Sequence, residues 1–96
     1  MMRSEVLAQL RKHLPEIRER FGVVDLVLFG STSRDSASTD SDVDILVTFK
    51  GPATSGQYFG LLFYLEDMLG VPVDLVTDKA LRSELRPYIE KEAVHI

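Results

Sequence analysis

Two aspartates in the middle of the chain, Asp42 and Asp44, have the type and spacing of a metal site. They lie in the run DVDILV, which predicts a strand, so both carboxylates point to one face with α-carbons about 6.6 Å apart. Val43, Ile45 and Val47 point to the other face, where a core would cover them. Two carboxylates at this spacing suit Mg²⁺, which prefers oxygen ligands. Two such ions, roughly 3.5–4 Å apart, can stabilise both the attacking and the leaving oxygen of a phosphoryl displacement.

A turn earlier in the chain could supply donors for a phosphate group. Gly30 ends a β-branched run and lets the backbone come close to a phosphate without a β-carbon in the way. Ser31 adds a hydroxyl, the following amides can bind an anion, and Arg34 can pair with a phosphate oxygen. Neither Gly-Ser nor Asp-x-Asp is informative alone. Together, with ten residues between Ser31 and Asp42 and predicted strands on both sides, they indicate a nucleotide bound through metal.

A third carboxylate is expected on a neighbouring strand, because two aspartates rarely fill an octahedral shell and activate a nucleophile as well. Asp74 is the candidate, since it lies inside the apolar run 71–76, where a lone charge would be costly without a partner or a cation. We interpret it as a third metal ligand or as the general base for an incoming hydroxyl. A plain salt-bridge partner is the competing interpretation.

Hydrophobic periodicity predicts six elements in the order α-β-β-α-β-α. The first is an amphipathic helix that Gly22 ends, and Pro15 should either kink it or start a second short helix. The run that begins at Gln57 is apolar almost all round and too long for one strand, which favours a buried helix ended by Gly70. The predicted helices span residues 4–21, 57–69 and 78–93, and the predicted strands span residues 23–29, 42–49 and 71–76.

These elements predict one α+β domain that covers residues 1–96. A chain of 96 residues has no room for a second hydrophobic core. The three short strands should form a small mixed or antiparallel β-sheet of about three strands, with the helices packed on one face.

Composition limits the expected partners. The formal net charge of −4 argues against direct nucleic-acid binding, because a phosphate backbone requires a basic face. The chain has no cysteine, which excludes disulfides and thiolate metal sites and suits a reducing cytoplasm. No apolar run approaches the roughly 18 residues that span a bilayer. We therefore expect a soluble, cytoplasmic protein without a membrane partner.

The segment FGSTSRDSASTDSDVDILV resembles the Gly-Ser and Asp-x-Asp signature of the DNA polymerase β-type nucleotidyltransferase superfamily. The length of the chain and its closing LRPYIEKEAV resemble in particular the minimal nucleotidyltransferase (MNT) antitoxins that are paired with HEPN toxins. The resemblance implies an enzyme that transfers AMP from ATP to a tyrosine of the HEPN ribonuclease and so silences it. The site residues that it implies are Gly30 and Ser31 for the nucleotide phosphates, Asp42 and Asp44 for Mg²⁺, and Asp74 to complete the site.

One departure from the family pattern keeps a second function open. Relatives often read Gly-Ser-x-Ala-Arg-Gly, whereas this chain has Asp35 directly after Arg34. An arginine in a loop beside an acid can simply pair with it. The alternative function is therefore a non-catalytic antitoxin that neutralises a ribonuclease by covering it. Transfer of a nucleotide to a small molecule such as an aminoglycoside is less favoured, because the sequence shows no acceptor-binding domain.

The remaining polar candidates have ordinary structural interpretations. Asp25 lies in a predicted strand without a motif companion, so we expect it at an edge or on the surface. His13 is expected to be half-exposed on the first helix, and His95 is expected in a frayed tail. Two isolated histidines do not make a metal site.

Overall fold

The computed structural model describes residues 3–29, 43–78 and 93–96. Within these ranges the chain forms two helices and four strands. Their bounds are α1 Arg3–Phe21, β1 Val23–Phe29, β2 Val43–Phe49, α2 Ser55–Leu69, β3 Val73–Thr77 and β4 Val94–His95. The predicted last helix lies outside the described residues except at its two ends. Neither of the two described helices is long and apolar enough to cross a membrane.

The four strands form one mixed sheet in the order β3-β2-β1-β4. β1 is antiparallel to both β2 and β4, whereas β2 and β3 are parallel. The predicted α+β class and the small mixed sheet are therefore confirmed. The sheet has one strand more than the three that the sequence predicted.

The additional strand is β4, which the sequence did not predict. Val94 and His95 pair with Leu28 and Val27 of β1. The Ile96 amide then donates to a β1 carbonyl at 3.0 Å. The expectation that His95 lies in a frayed tail is therefore wrong. A two-residue strand offers too few positions for the alternation by which strands are recognised in a sequence.

Both described helices pack on the same face of the sheet, as predicted. The buried side chains of this core come from α1 (Val6, Leu10, Ile17 and Phe21), from α2 (Leu61, Leu65 and Leu69) and from the strands (Val23, Leu26, Leu28, Val43, Ile45, Val47, Val73 and Leu75). Successive strand residues point to opposite faces. The face turned away from the helices, here called the distal face, therefore carries Phe29 of β1, Asp44 and Leu46 of β2, and Asp74 and Val76 of β3.

Glycines end both helices, as the sequence predicted. Gly22 after α1 and Gly70 after α2 adopt left-handed φ angles of 68° and 71°. Their amides donate to the Arg18 carbonyl at 3.1 Å and to the Glu66 carbonyl at 2.8 Å, and such bonds close the last turn of a helix. α1 is a single helix that contains Pro15, so the alternative of a second short helix starting there is wrong.

α2 begins at Ser55, two residues before its predicted start. The Thr54 hydroxyl accepts from the Gln57 amide at 3.1 Å, and the Gln57 side-chain oxygen accepts from the Thr54 amide at 2.8 Å. This reciprocal pair is a capping box, which satisfies two backbone donors at the helix start. The Gln57 side-chain nitrogen also donates to the Phe21 carbonyl at 3.3 Å, so the start of α2 is tied to the end of α1.

We expect Gly70→Ala to lower the free energy of unfolding by about 1–2 kcal/mol, because a left-handed backbone strains any residue with a β-carbon. The added β-carbon would meet no atom within 4 Å, so the loss would come from the backbone alone. Gly70→Asn should cost less, since asparagine tolerates this conformation. Chemical denaturation followed by circular dichroism measures both variants. A Gly70→Ala protein as stable as the wild type would contradict this account.

A polar cluster joins the outer sides of α1 and α2. The Tyr64 hydroxyl donates to the Glu16 carboxylate at 2.6 Å and lies 3.3 Å from Nδ1 of His13. The Arg20 guanidinium lies 5.6 Å from the centre of the Tyr64 ring. Burial raises the pKa of Tyr64, and the hydrogen bond and the negative charge of Glu16 raise it further, whereas Arg20 lowers it. The folded protein therefore favours the neutral phenol.

This cluster predicts a loss of stability at alkaline pH. The folded-state pKa of Tyr64 lies above the unfolded value of about 10. Its contribution is then fully present below about pH 10 and is lost as the pH rises through the folded pKa. Tyr64→Phe should be less stable than the wild type at neutral pH, and the difference should shrink at alkaline pH. Denaturation of both proteins across this pH range tests it, and a difference that does not change with pH would contradict it.

Candidate functional site

Asp44 and Asp74 lie side by side on the distal face. They are register partners in the parallel pair formed by β2 and β3, and neighbouring strands are about 4.8 Å apart. Asp44 is half-buried and Asp74 is exposed. Two of the three predicted acids are thus adjacent on neighbouring strands. The third, Asp42, lies outside the described residues.

The hydrophobic pattern explains why both acids reach the same face. On β2, Val43 and Ile45 flank Asp44, and all of the flanking residues are buried in the core. On β3, Val73 and Leu75 flank Asp74 in the same way. A slip of one residue in either strand would turn its acid into the core and its apolar residues to the distal face, which is strongly unfavourable.

Side chains of α2 hold β3 in this register from its outer side. The Val43 amide donates to the Pro72 carbonyl at 3.0 Å, so by alternation Val73 and Leu75 direct their backbone groups away from β2. The Glu66 carboxylate accepts from the Val73 amide at 3.1 Å. The Tyr58 hydroxyl donates to the Leu75 carbonyl. α2 therefore supplies partners to two backbone groups of β3 that β2 cannot reach.

The end of β1 lies beside the acid pair. Phe29, its last residue, is the register partner of Asp44 across the antiparallel pair of β1 and β2. The predicted phosphate turn follows Phe29 directly in the sequence. The three residues predicted to bind the nucleotide, Gly30, Ser31 and Arg34, lie outside the described residues.

The exposure of Asp74 changes one argument for its role. From the sequence, burying the charge of Asp74 inside an apolar run would cost free energy without a partner. In the structure, solvent reaches this side chain, which removes most of that cost. Carboxylates that are adjacent on neighbouring strands repel each other. A divalent cation relieves such repulsion, and aspartate oxygens are suitable ligands for Mg²⁺. Over residues 3–29, 43–78 and 93–96, no three histidine or acidic side chains form a metal-binding group.

Asp25 lies on a central strand and contacts His95. It lies in β1, between β2 and β4, so it is not on an edge strand. Its carboxylate is 3.4 Å from Nδ1 of His95. Its register partner on β2 is Thr48, four residues after Asp44, so this pair belongs to the other end of the sheet. The sequence could not reveal the contact, because β4 was not predicted.

Two adjoining cavities also lie at the end of the sheet opposite the acids. One, of about 310 Å³, is lined by the ends of β2 and β3, including Thr48 and Asp78, and by the loop at Pro52. The other, of about 540 Å³, lies between β3 and the first turns of α2 and includes Tyr58 and Phe59. No sequence motif pointed to either cavity, since their walls come from segments that are distant along the chain.

Comparisons of the sequence and the structure with known proteins find nucleotidyltransferase domains. Residues 10–96 match the family of nucleotidyltransferase domains. The chain is 41% identical over 93 residues to the protein adenylyltransferase MntA of Thermococcus cleftensis, covering 97% of this chain and 94% of that protein. A solved structure of a candidate minimal nucleotidyltransferase matches with a TM-score of 0.83 at 35% identity, covering 98% of this chain and 95% of that chain.

A further solved structure holds a tri-AMPylated HEPN toxin of Shewanella oneidensis in complex with an MNT antitoxin. It matches with a TM-score of 0.60 at 22% identity, covering 97% of this chain and 66% of that chain. At this level of identity the likeness shows the fold alone.

The fold is thus that of a nucleotidyltransferase domain, and the chain is an enzyme of this class. It belongs to the nucleotidyltransferase domain family, among the MntA-like protein adenylyltransferases. The family resemblance that the Gly-Ser and Asp-x-Asp signature indicated is confirmed.

The adjacent acids predict effects of opposite sign for Asp74→Asn. Without metal the variant should have a slightly higher Tm, because one of two neighbouring like charges is removed. It should also lose most of the rise in Tm that Mg²⁺ gives the wild type, because a ligand that binds only the folded state stabilises it. Thermal denaturation in EDTA and in Mg²⁺ measures both effects. Asp67→Asn, a change to an exposed acid of α2, is the control and should keep the full Mg²⁺ effect.

Proposed function

We propose that this protein is a Mg²⁺-dependent antitoxin that transfers AMP from ATP to a tyrosine hydroxyl of a HEPN toxin in the cytoplasm. The observation that carries the proposal is the register pairing of Asp44 with Asp74 on the distal face. Paired carboxylates, in a chain whose sequence also carries a Gly-Ser turn, suit a reaction in which a metal-bound nucleotide meets a hydroxyl. The relatives named as protein adenylyltransferases support a protein as the acceptor.

The metal-binding residues in this proposal are Asp42, Asp44 and Asp74. Their carboxylate oxygens are the hard ligands that Mg²⁺ requires, and the adjacent pair on the distal face fits this donor set. When bound, Mg²⁺ neutralises the charge of the triphosphate and the charge that develops on the leaving pyrophosphate. With the cation bound, the neighbouring carboxylates of Asp44 and Asp74 would repel each other less.

The nucleotide-binding residues in this proposal are Gly30, Ser31 and Arg34. Gly30 would let the backbone approach the phosphates, and the Ser31 hydroxyl would donate to a phosphate oxygen. The Arg34 guanidinium can donate two parallel hydrogen bonds to another phosphate oxygen pair. These donors would orient the α-phosphorus towards the acceptor hydroxyl.

The acceptor hydroxyl would meet Asp74, which is the more exposed of the two described acids. Its carboxylate can accept the proton of the phenol while the phenolic oxygen forms a bond to the α-phosphorus. The bond from the α-phosphorus to the bridging oxygen of pyrophosphate breaks, and pyrophosphate leaves with that electron pair. The products are an AMP–tyrosine ester, pyrophosphate and the transferred proton.

The choice of a HEPN toxin as the partner rests on the MNT group and on a structural neighbour found with such a toxin. The net charge of −4 supports a protein surface rather than a nucleic acid as the docking partner. Such a toxin would present its tyrosine from its own folded scaffold.

The proposal predicts AMP transfer that depends on both acids of the pair. With ATP, Mg²⁺ and the purified toxin, the wild type should raise the toxin's mass by one or more AMP groups. Asp44→Asn and Asp74→Asn should each slow the transfer by on the order of 100-fold, because each removes an interaction with the reacting groups. Asp25→Asn changes an acid at the other end of the same sheet and should transfer AMP at the wild-type rate. Intact-protein mass spectrometry over time gives all four rates.

Two outcomes would contradict the proposal. One is a toxin whose mass does not change with active wild-type protein. The other is transfer by Asp44→Asn and Asp74→Asn that is as fast as transfer by Asp25→Asn. If these variants still neutralise the toxin in cells without transferring AMP, binding alone would be the mechanism of neutralisation.

A further inference from the structure

One side of α2 exposes two aromatic side chains. Phe59 and Phe63 are 50% and 63% exposed. Their rings stack with centroids 6.4 Å apart and an interplanar angle of 28°. Both point away from Leu61 and Leu65, which are fully buried against the sheet. Single exposed apolar residues are common on protein surfaces, but adjacent ones form an apolar patch, and aromatic residues are enriched at interfaces.

The exposed residues of this side follow one another at intervals of four. Ser55, Phe59, Phe63 and Asp67 are all exposed and lie about one turn apart. We call these four residues the α2 ridge. It is polar at the start of the helix, aromatic in the middle and acidic near the end. A two-fold axis midway between the rings would place Phe59 of one copy against Phe63 of another, and Ser55 against Asp67.

Helix electrostatics favour this antiparallel arrangement. α2 has no acidic residue in its first turn and no basic residue in its last turn. Asp67 lies near the C-terminal end, where the partial negative charge of the helix repels it. In an antiparallel pair, each Asp67 would lie beside the N-terminal turn of the other copy, where the partial charge is positive. Pairing therefore replaces an unfavourable interaction with a favourable one.

The position of the α2 ridge argues against the acceptor protein as its occupant. α2 packs on one face of the sheet, whereas Asp44 and Asp74 lie on the distal face. A protein that presents a hydroxyl to these acids approaches from the distal side. The same surface of that protein cannot also cover the α2 ridge, which is on the other side of the sheet. A second copy of this chain can cover it, since the ridge is complementary to itself.

We propose that the α2 ridge is a self-association surface, through which two copies of this chain form an antiparallel dimer with two-fold symmetry. Two phenylalanines per copy bury less than the roughly 1,200 Å² of a standard stable interface, so the dimer dissociates on dilution. Both distal faces point outwards and remain accessible to an acceptor. The choice of a second copy as the occupant rests on the proposed function, which brings the acceptor to the distal face, but association itself does not require AMP transfer.

Sedimentation velocity over a hundredfold range of protein concentration tests the association. The sedimentation coefficient of the wild type should rise with concentration towards that of a dimer. Phe63→Lys should remain monomeric over the whole range, because it places a charge in the centre of the interface. Val24→Lys is the matched control, since Val24 is an exposed hydrophobic residue too, at 50%, but lies on β1. It should associate like the wild type.

Asp67→Lys separates association from folding. A lysine near the end of α2 interacts favourably with the partial negative charge at the C-terminus of its own helix, so the Tm of the dilute monomer should rise. The same change removes the contact with the other copy's first turn, so association should weaken. A residue with only a structural role would not change these two measurements in opposite directions.

Cross-linking tests the antiparallel geometry, because the chain has no cysteine of its own. In the proposed dimer, position 55 of one copy lies near position 67 of the other. Two copies of the same position are about 18 Å apart, at about 1.5 Å of rise per residue. A short bis-maleimide should therefore join Ser55→Cys to Asp67→Cys chains in a mixture. It should join neither variant efficiently to itself.

Three results would overturn the proposal. The first is a wild-type protein that remains monomeric at the highest concentration. The second is a Phe63→Lys protein that associates like the wild type. The third is cross-linking of either variant to itself as efficient as that of the mixture. A monomeric chain whose Phe63→Lys variant loses binding to the toxin would assign the α2 ridge to the toxin instead. AMP transfer is measured separately and can succeed or fail independently of these results.

Discussion

The parallel pairing of β2 with β3 is the constraint on which the rest of the structure depends. It places Asp44 beside Asp74 and, at the same time, directs Val43 and Val73 into the core. Burial of the apolar residues therefore fixes the register that keeps the acids adjacent, because two like charges on neighbouring strands repel each other. Hydrophobic side chains on one face thus provide the free energy that keeps two carboxylates adjacent on the other face.

The features that could be predicted from the sequence are those that depend on residues close together along the chain. The alternation around Asp44 predicted its face, and the glycines at positions 22 and 70 predicted the helix ends. The family signature predicted the class of enzyme. The pairing of Asp74 with Asp44 was expected only as a third carboxylate on a neighbouring strand. Sequence spacing could not provide the register, because two strands joined by a helix can pair at several offsets that differ in free energy through packing alone.

The features that the sequence did not reveal arise between segments that are distant along the chain. β4 is too short to show a pattern, so its contact between His95 and Asp25 was not foreseen. No local sequence pattern predicts that Tyr58 donates to, and Glu66 accepts from, the backbone of β3. Both residues lie in the largely apolar run 57–69, whose pattern predicts a helix but no contact with β3. Both side chains satisfy backbone groups on the outer side of β3. Without such partners, the backbone of an edge strand can pair with another chain.

The two faces of the sheet have different roles, because the described helices cover only one of them. α1 and α2 cover one face completely enough to build a core, so that face cannot hold a solvated ion. Charged ligands are then restricted to the distal face, where Asp74 is exposed. α2 in turn has an outer side that contributes nothing to the core, and its two phenylalanines are free to contact another molecule. A sheet with helices on one face can in this way present one surface for chemistry and another for association, because the sheet lies between the two contacts.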